Sequence, residues 1–458
     1  MQRFLIVALT ACLAVAAPSR ANVQLPSVIG SHMVLQRDKP LPIWGKADPG
    51  EEVTVTFAQQ TLTTRADDKG NWKVQLQPVK ADGKAHRMTI RGKNTIELDD
   101  ILIGEVWVGS GQSNMEWSLA QSDKPAQTIA AAKHPSIRLF HVPKLQAREP
   151  AFDVKAGWKA CEPETARNFS AVLYHFGAYL HNELKVPIGL INTSWGGSAI
   201  EPWTVTEKSS GGMYNAMVAP LMPFAIRGVV WYQGETNAMQ KNGMKYRDKM
   251  EDLIKGWRHR WGQEIPFYFV QIAPWQPARG GYPGEELQLL WEAQAASLKI
   301  PNTGMVVTTD LVDNIQDIHP KNKRDVGIRL GLWAMAKTYG KENVVYSGPL
   351  YKGMKIDGNK IRLSFAHVGG GLKSRDGKPL THFEIAGADG QFVPAEAVID
   401  GNEVVVQARS VEKPLEVRFG WHNKANPNLV NQEGLPASPF RTKNWQGGTG
   451  LEHNKAGG

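Results

Sequence analysis

Five apolar runs constrain this chain more than any other feature: residues 105–109, 188–192, 228–233, 266–272 and 305–309. Each is only strand-length and apolar at odd and even positions alike, so a strand built from it must be covered on both faces. Parallel strands sandwiched between helices meet that condition. The text between the runs supplies the helices. Tyr246, Met250, Leu253, Ile254 and Trp257 recur at helical spacing, as do Leu173, Phe176, Leu180 and Leu184. Residues 101–345 are therefore expected to form a three-layer α/β domain around a five-stranded, mostly parallel sheet.

The flanks read differently. Residues 22–100 alternate polar and apolar positions in short segments, such as 52–57, 71–76 and 86–90, broken by Asp48-Pro49-Gly50 and Asp67-Asp68-Lys69-Gly70. Period-two alternation with turn punctuation predicts a β-sandwich. Similar text returns over 346–446, in 360–365, 403–407 and 415–419, and predicts a second β-rich region. Residues 447–458 read as a flexible tail. A chain of 458 residues exceeds what one core usually serves, which agrees with this division.

The N-terminus carries Arg3, an apolar stretch over 4–17 and small residues at Ser19 and Ala21. This pattern reads as a signal peptide over residues 1–21, with export to the periplasm or beyond. Lipoprotein anchoring at Cys12 is the lesser alternative, because apolar residues continue past it. The stretch falls short of the ~20 residues that span a bilayer, and no later segment reaches that length. Removing residues 1–21 takes Lys and Arg from 53 to 51 against 44 acids, leaving +7. That charge is dispersed, which argues against a nucleic-acid partner. Only Cys161 then remains, so an internal disulfide and a cysteine-rich metal site are both excluded. No feature fixes an oligomeric state.

In open α/β sheets, ligands sit at the carboxyl ends of the strands. The first run ends in Gly109-Ser110-Gly111-Gln112-Ser113-Asn114-Met115, which puts Ser113 near a helix N-terminus, where backbone amides and the helix dipole favour a developing oxyanion. Serine in such a place also serves as a cap. The second ends in Asn192-Thr193-Ser194-Trp195-Gly196-Gly197-Ser198, whose glycine amides can approach a substrate oxygen. The third ends in Gln233-Gly234-Glu235-Thr236-Asn237; a polar cluster after an apolar strand must be bonded internally or serve a ligand. The fifth runs through Asp313 and Gln316-Asp317-Ile318-His319-Pro320, a histidine among acids ahead of a helix. An acid beside a histidine orients it and stabilises the imidazolium formed when it takes a proton from serine.

Gly-Gln-Ser-Asn-Met at 111–115, Ser-Trp-Gly-Gly-Ser at 194–198, Trp-Tyr-Gln-Gly-Glu-Thr-Asn at 231–237 and Asp-Ile-His-Pro at 317–320 together resemble the sialate O-acetylesterase family of the SGNH, or GDSL-like, hydrolases. The likeness runs over roughly residues 23–440. It implies a serine esterase that removes O-acetyl groups from sugars through an acetyl-enzyme on Ser113, with His319 as general base. It further implies an oxyanion hole made by the amide of Ser113, the amide of Gly196 or Gly197, and the side chain of Gln233. The superfamily's acid lies three residues before the histidine, where this chain has Gln316. Asp317 is the favoured substitute, with Asp313 or a backbone carbonyl as alternatives. Such an enzyme needs neither metal nor cofactor, and its partner is an acetylated sugar or glycan. Sialic acid, xylan and xyloglucan all present the same ester. A non-catalytic sugar-binding protein and a lipase-like enzyme are the rival readings. Trp195, Trp203, Tyr232 and Trp275 are candidates to stack on sugar rings.

Overall fold

One strand, Thr95–Gly111, joins two kinds of sheet, and its burial records the change. In its first half exposed and covered residues alternate; from Ile101 onward every residue is buried. A computed structural model describes residues 22–449. The first half of this strand pairs antiparallel with His86–Arg91, which pairs in turn with Glu52–Phe57 and, through it, with Gln60–Arg65. The second half enters a parallel sheet.

That sheet runs in the order Thr303–Val306, Phe267–Val270, Gly228–Tyr232, Thr95–Gly111, Ile188–Ser194, His134–His141, Trp158–Cys161. All neighbours are parallel except the last pair. All five apolar runs lie in it, but the expected count of five strands is corrected: His134–His141 is a sixth parallel strand, and Trp158–Cys161 adds an antiparallel edge. The sixth strand is hidden in the sequence by Pro135 and Arg138. The Arg138 guanidinium is buried because it pairs with both Asp100 oxygens, at 2.6 and 3.0 Å.

The layers follow from strand alternation. Trp107 lies opposite Gly228 in register, and Trp231, three residues on, projects from the other face. Trp107 meets Phe176 of the helix Ala171–Leu184 edge-on at 5.0 Å, whereas Trp231 meets Trp257 of the helix Tyr246–Trp261 at 6.2 Å. The helix Lys323–Trp333 packs closely on Ala171–Leu184: a side chain at Gly327 would meet the Val172 carbonyl at 2.7 Å.

The N-terminal strands and the α/β layers share one continuous apolar core. The C-terminal strands keep their own, built on Ile361, Leu363, Val404, Val417, Phe419 and Phe440. Residues 447–449 do not hang free: the Gly448 amide donates to Ala295, and the Thr449 carbonyl contacts His367 Nε2 at 2.6 Å. The signal-peptide reading of residues 1–21, Cys12 included, and the rest of the tail from 450 lie outside the described residues. Among the described residues no helix is long and apolar enough to cross a membrane.

Candidate active site

The turn that presents Ser113 requires glycine. Gly111 has φ +131°, and a Cβ there would lie 2.2 Å from the Tyr232 carbonyl oxygen. The strand thus stops hard against its neighbour, and Ser113 opens the short helix Ser113–Glu116. First-turn amides have no intrahelical partner, so the Ser113 N–H is not used by its own helix.

His319 arrives from the loop between the strand Thr303–Val306 and the helix Lys323–Trp333. Its Nε2 lies 2.9 Å from Ser113 Oγ. The imidazole stacks on Trp117, with centroids 4.7 Å apart and planes 20° from parallel. Asp317 Oδ1 accepts the His319 backbone N–H at 2.9 Å and lies 3.4 Å from Nδ1. Asp313 instead accepts the Lys321 amide at 3.2 Å. Burial pushes the His319 pKa below its ordinary 6.5; the nearby Lys323 charge pushes the same way, and Asp317 opposes both. The lone pair a general base needs is therefore present at neutral pH.

The glycine block lies against Ser113. A Cβ on Gly196 would sit 3.4 Å from Ser113 Cβ and 3.0 Å from Glu116 Oε2. The Gly196 amide donates to that Glu116 oxygen, and Lys144 pairs with the other. Gly197 follows at φ +74°. Gln233, expected at the oxyanion, is buried with its amide committed inside the protein. Its Nε2 donates to Asn237 Oδ1 at 2.7 Å, Gln112 Oε1 at 3.1 Å and Ser198 O at 3.2 Å, while its oxygen accepts from the Tyr246 hydroxyl at 2.7 Å. A donor role requires it to release one of these partners.

Two expectations about the aromatics are corrected. Trp203 and Tyr232 are fully buried core residues and cannot line a mouth; Trp195 and Trp275 are half-buried. Sequence reasoning also missed Trp117, under His319, and Lys323, buried behind Ser113. A tryptophan immediately past a short helix and a lysine after a loop carry no periodic signal that marks them.

A family model described as carbohydrate esterase, sialic acid-specific acetylesterase, matches residues 103–338. Sialate O-acetylesterase of Mus musculus is 31% identical over 416 residues, spanning 72% of this chain and 76% of its own length. The Homo sapiens protein of that name is 32% identical over 401 residues, spanning 74% and 76%. The crystal structure of a carbohydrate acetylesterase from Xanthomonas citri superposes with a TM-score of 0.88 at 41% identity, over 93% of this chain and all of that one. The chain therefore belongs to the sialic acid-specific acetylesterase family of carbohydrate esterases and is a carboxylic ester hydrolase.

Proposed function

We propose that this chain is exported and removes O-acetyl groups from a sugar through an acetyl-enzyme on Ser113. The observation that carries the reading is the 2.9 Å contact between Ser113 Oγ and His319 Nε2, two side chains 206 positions apart. Ser113 attacks the acetyl carbonyl while His319 takes its proton. The oxyanion is held by the amides of Ser113 and of Gly196 or Gly197, and by Gln233 once it frees a hydrogen; each such donor is worth roughly a hundredfold or more in rate. His319 then protonates the departing sugar hydroxyl. Water, deprotonated by His319, releases acetate and restores Ser113. Asp317 orients His319. Glu116 must leave the Gly196 amide before that amide can serve, and Lys144 is placed to keep its carboxylate as it turns away.

A second substrate reading, an acetylated plant cell-wall polysaccharide such as xylan or xyloglucan, is favoured by the charges beside Ser113. Lys144, paired with Glu116 of the helix that Ser113 opens, is already neutralised there, which leaves little to attract a sugar carboxylate.

The test is acetate release from 4-nitrophenyl acetate by protein lacking residues 1–21, beside Ser113→Ala and His319→Ala. Loss of about 10⁴-fold or more in both variants, the scale seen when a triad serine or histidine is removed, supports the mechanism. Acetylated sialic acids and acetylated plant glycans are then compared. A fully active Ser113→Ala ends the reading of Ser113 as the acetylated residue.

A further inference from the structure

Directly behind the nucleophile lies a chain of buried polar groups that the steps above do not use. Lys323, the first residue of its helix, is 1% exposed. Its Nζ donates to Asn114 Oδ1 at 2.5 Å and lies 5.4 Å from the Trp117 ring centroid and 5.6 Å from that of Tyr232. Asn114, next to Ser113, donates through Nδ2 to Glu235 Oε1 at 2.5 Å and to the Ile318 carbonyl at 3.1 Å. The other Glu235 oxygen is buried without a partner. The chain thus joins the end of the third strand, the nucleophile's turn and the residue before His319.

A buried ammonium is costly, and a well-packed apolar residue usually stabilises a core as well or better. This one also adjoins the catalytic pair, because Trp117 carries His319 on its ring as well as the ammonium. We propose that Lys323 is a positioning residue of the ester hydrolysis: its ammonium, held by Asn114 and two aromatic faces, keeps His319 unprotonated and within reach of Ser113. This rests on the Ser113–His319 reading above. A cation near an imidazole disfavours the imidazolium. The charged groups that face Lys323 are Glu235 from the strand end and Asp317 and Asp313 from the histidine loop, all of which favour its ammonium form. Those acting on His319 are Lys323 and, in the opposite sense, Asp317. Burial lowers Lys323 to about 7, so its charge is present over the acid range in which His319 loses its proton.

The experiment compares the parent, Lys323→Met, Lys323→Arg and the double variant Lys323→Met/Glu235→Gln. The double variant removes both buried charges and protects against failure to fold. The readouts are the pH profile of kcat/KM on 4-nitrophenyl acetate and the titration of His319 in ¹³C-histidine protein by NMR, assigned with His319→Ala. The NMR readout needs no activity. In both variants that lose the ammonium, the His319 titration and the acid limb of the profile move to higher pH; Lys323→Arg keeps them near the parent's. If the titration stays in place while kcat falls equally at every pH, Lys323 is only structural and the proposal is overturned. It is equally overturned if Lys323→Arg shifts as far as Lys323→Met. An active parent beside an inactive Ser113→Ala shows separately that the underlying reading stands.

Discussion

Two buried glutamates lie toward opposite ends of the same sheet, and the protein treats them differently. Glu105, on the central strand, is ringed by donors: Arg37 Nε at 2.6 Å, Arg227 Nε at 2.6 Å and Nη2 at 3.0 Å, and Gln36 Nε2 at 3.1 Å. These partners outweigh the burial penalty and hold its carboxyl below the ordinary 4.5. Glu235, at the strand ends beside Ser113, has one bonded oxygen and one orphan, and reaches its cation only through Asn114. Burial dominates there and raises its pKa. A fully paired buried charge is architecture; an incompletely paired one beside Ser113 is the kind of concession in stability that functional sites make.

The comparison breaks most sharply at Glu105. Glu105→Gln strips Arg227 of its carboxylate and leaves Arg37 only the more distant Asp38, at 3.8 Å, and should lower the unfolding free energy by about 3–5 kcal/mol, read from urea melts, with esterase activity per folded molecule unchanged. The difference between parent and variant should shrink as pH falls: a depressed pKa contributes stability above 4.5 that is lost as pH drops through the folded value. Glu235→Gln should behave oppositely. A raised pKa contributes stability in full below 4.5 and loses it as pH climbs through the folded value, so the variant should gain on the parent as pH rises above 4.5. A gap that widens toward acid would show that Glu235 is as well paired as Glu105. Glu116→Ala has the smallest effect: by freeing the Gly196 amide it should raise kcat/KM on 4-nitrophenyl acetate by roughly two- to tenfold, within the worth of one such donor. A fall instead would mean that Glu116 assists the reaction.

Much of the fold was legible, because strand text is a local property. A run apolar on both faces must be buried on both, and all five such runs lie in the central sheet. The sixth parallel strand was not legible, since Arg138 is tolerated there only through its pairing with Asp100 across the structure. At the site, the residues after the strand ends could be singled out one by one. That Glu116 would cover the Gly196 amide, that Gln233 would be saturated by three acceptors, and that Tyr232 and Trp203 would be core could not. Each depends on which neighbour arrives from a distant part of the chain.

The amino-acid sequence alone determined that this protein has parallel strands buried on both faces, glycine-bearing turns at their ends and a serine and a histidine on two of those turns. Periodicity and turn chemistry act over a few residues and can be read there. Only the tertiary structure decided that Ser113 and His319 stand 2.9 Å apart, that Trp117 lies under the imidazole and that Lys323 is buried behind both. Those relations come from packing helices and loops against one sheet, where the cost of burying charge is settled by partners far away in the chain.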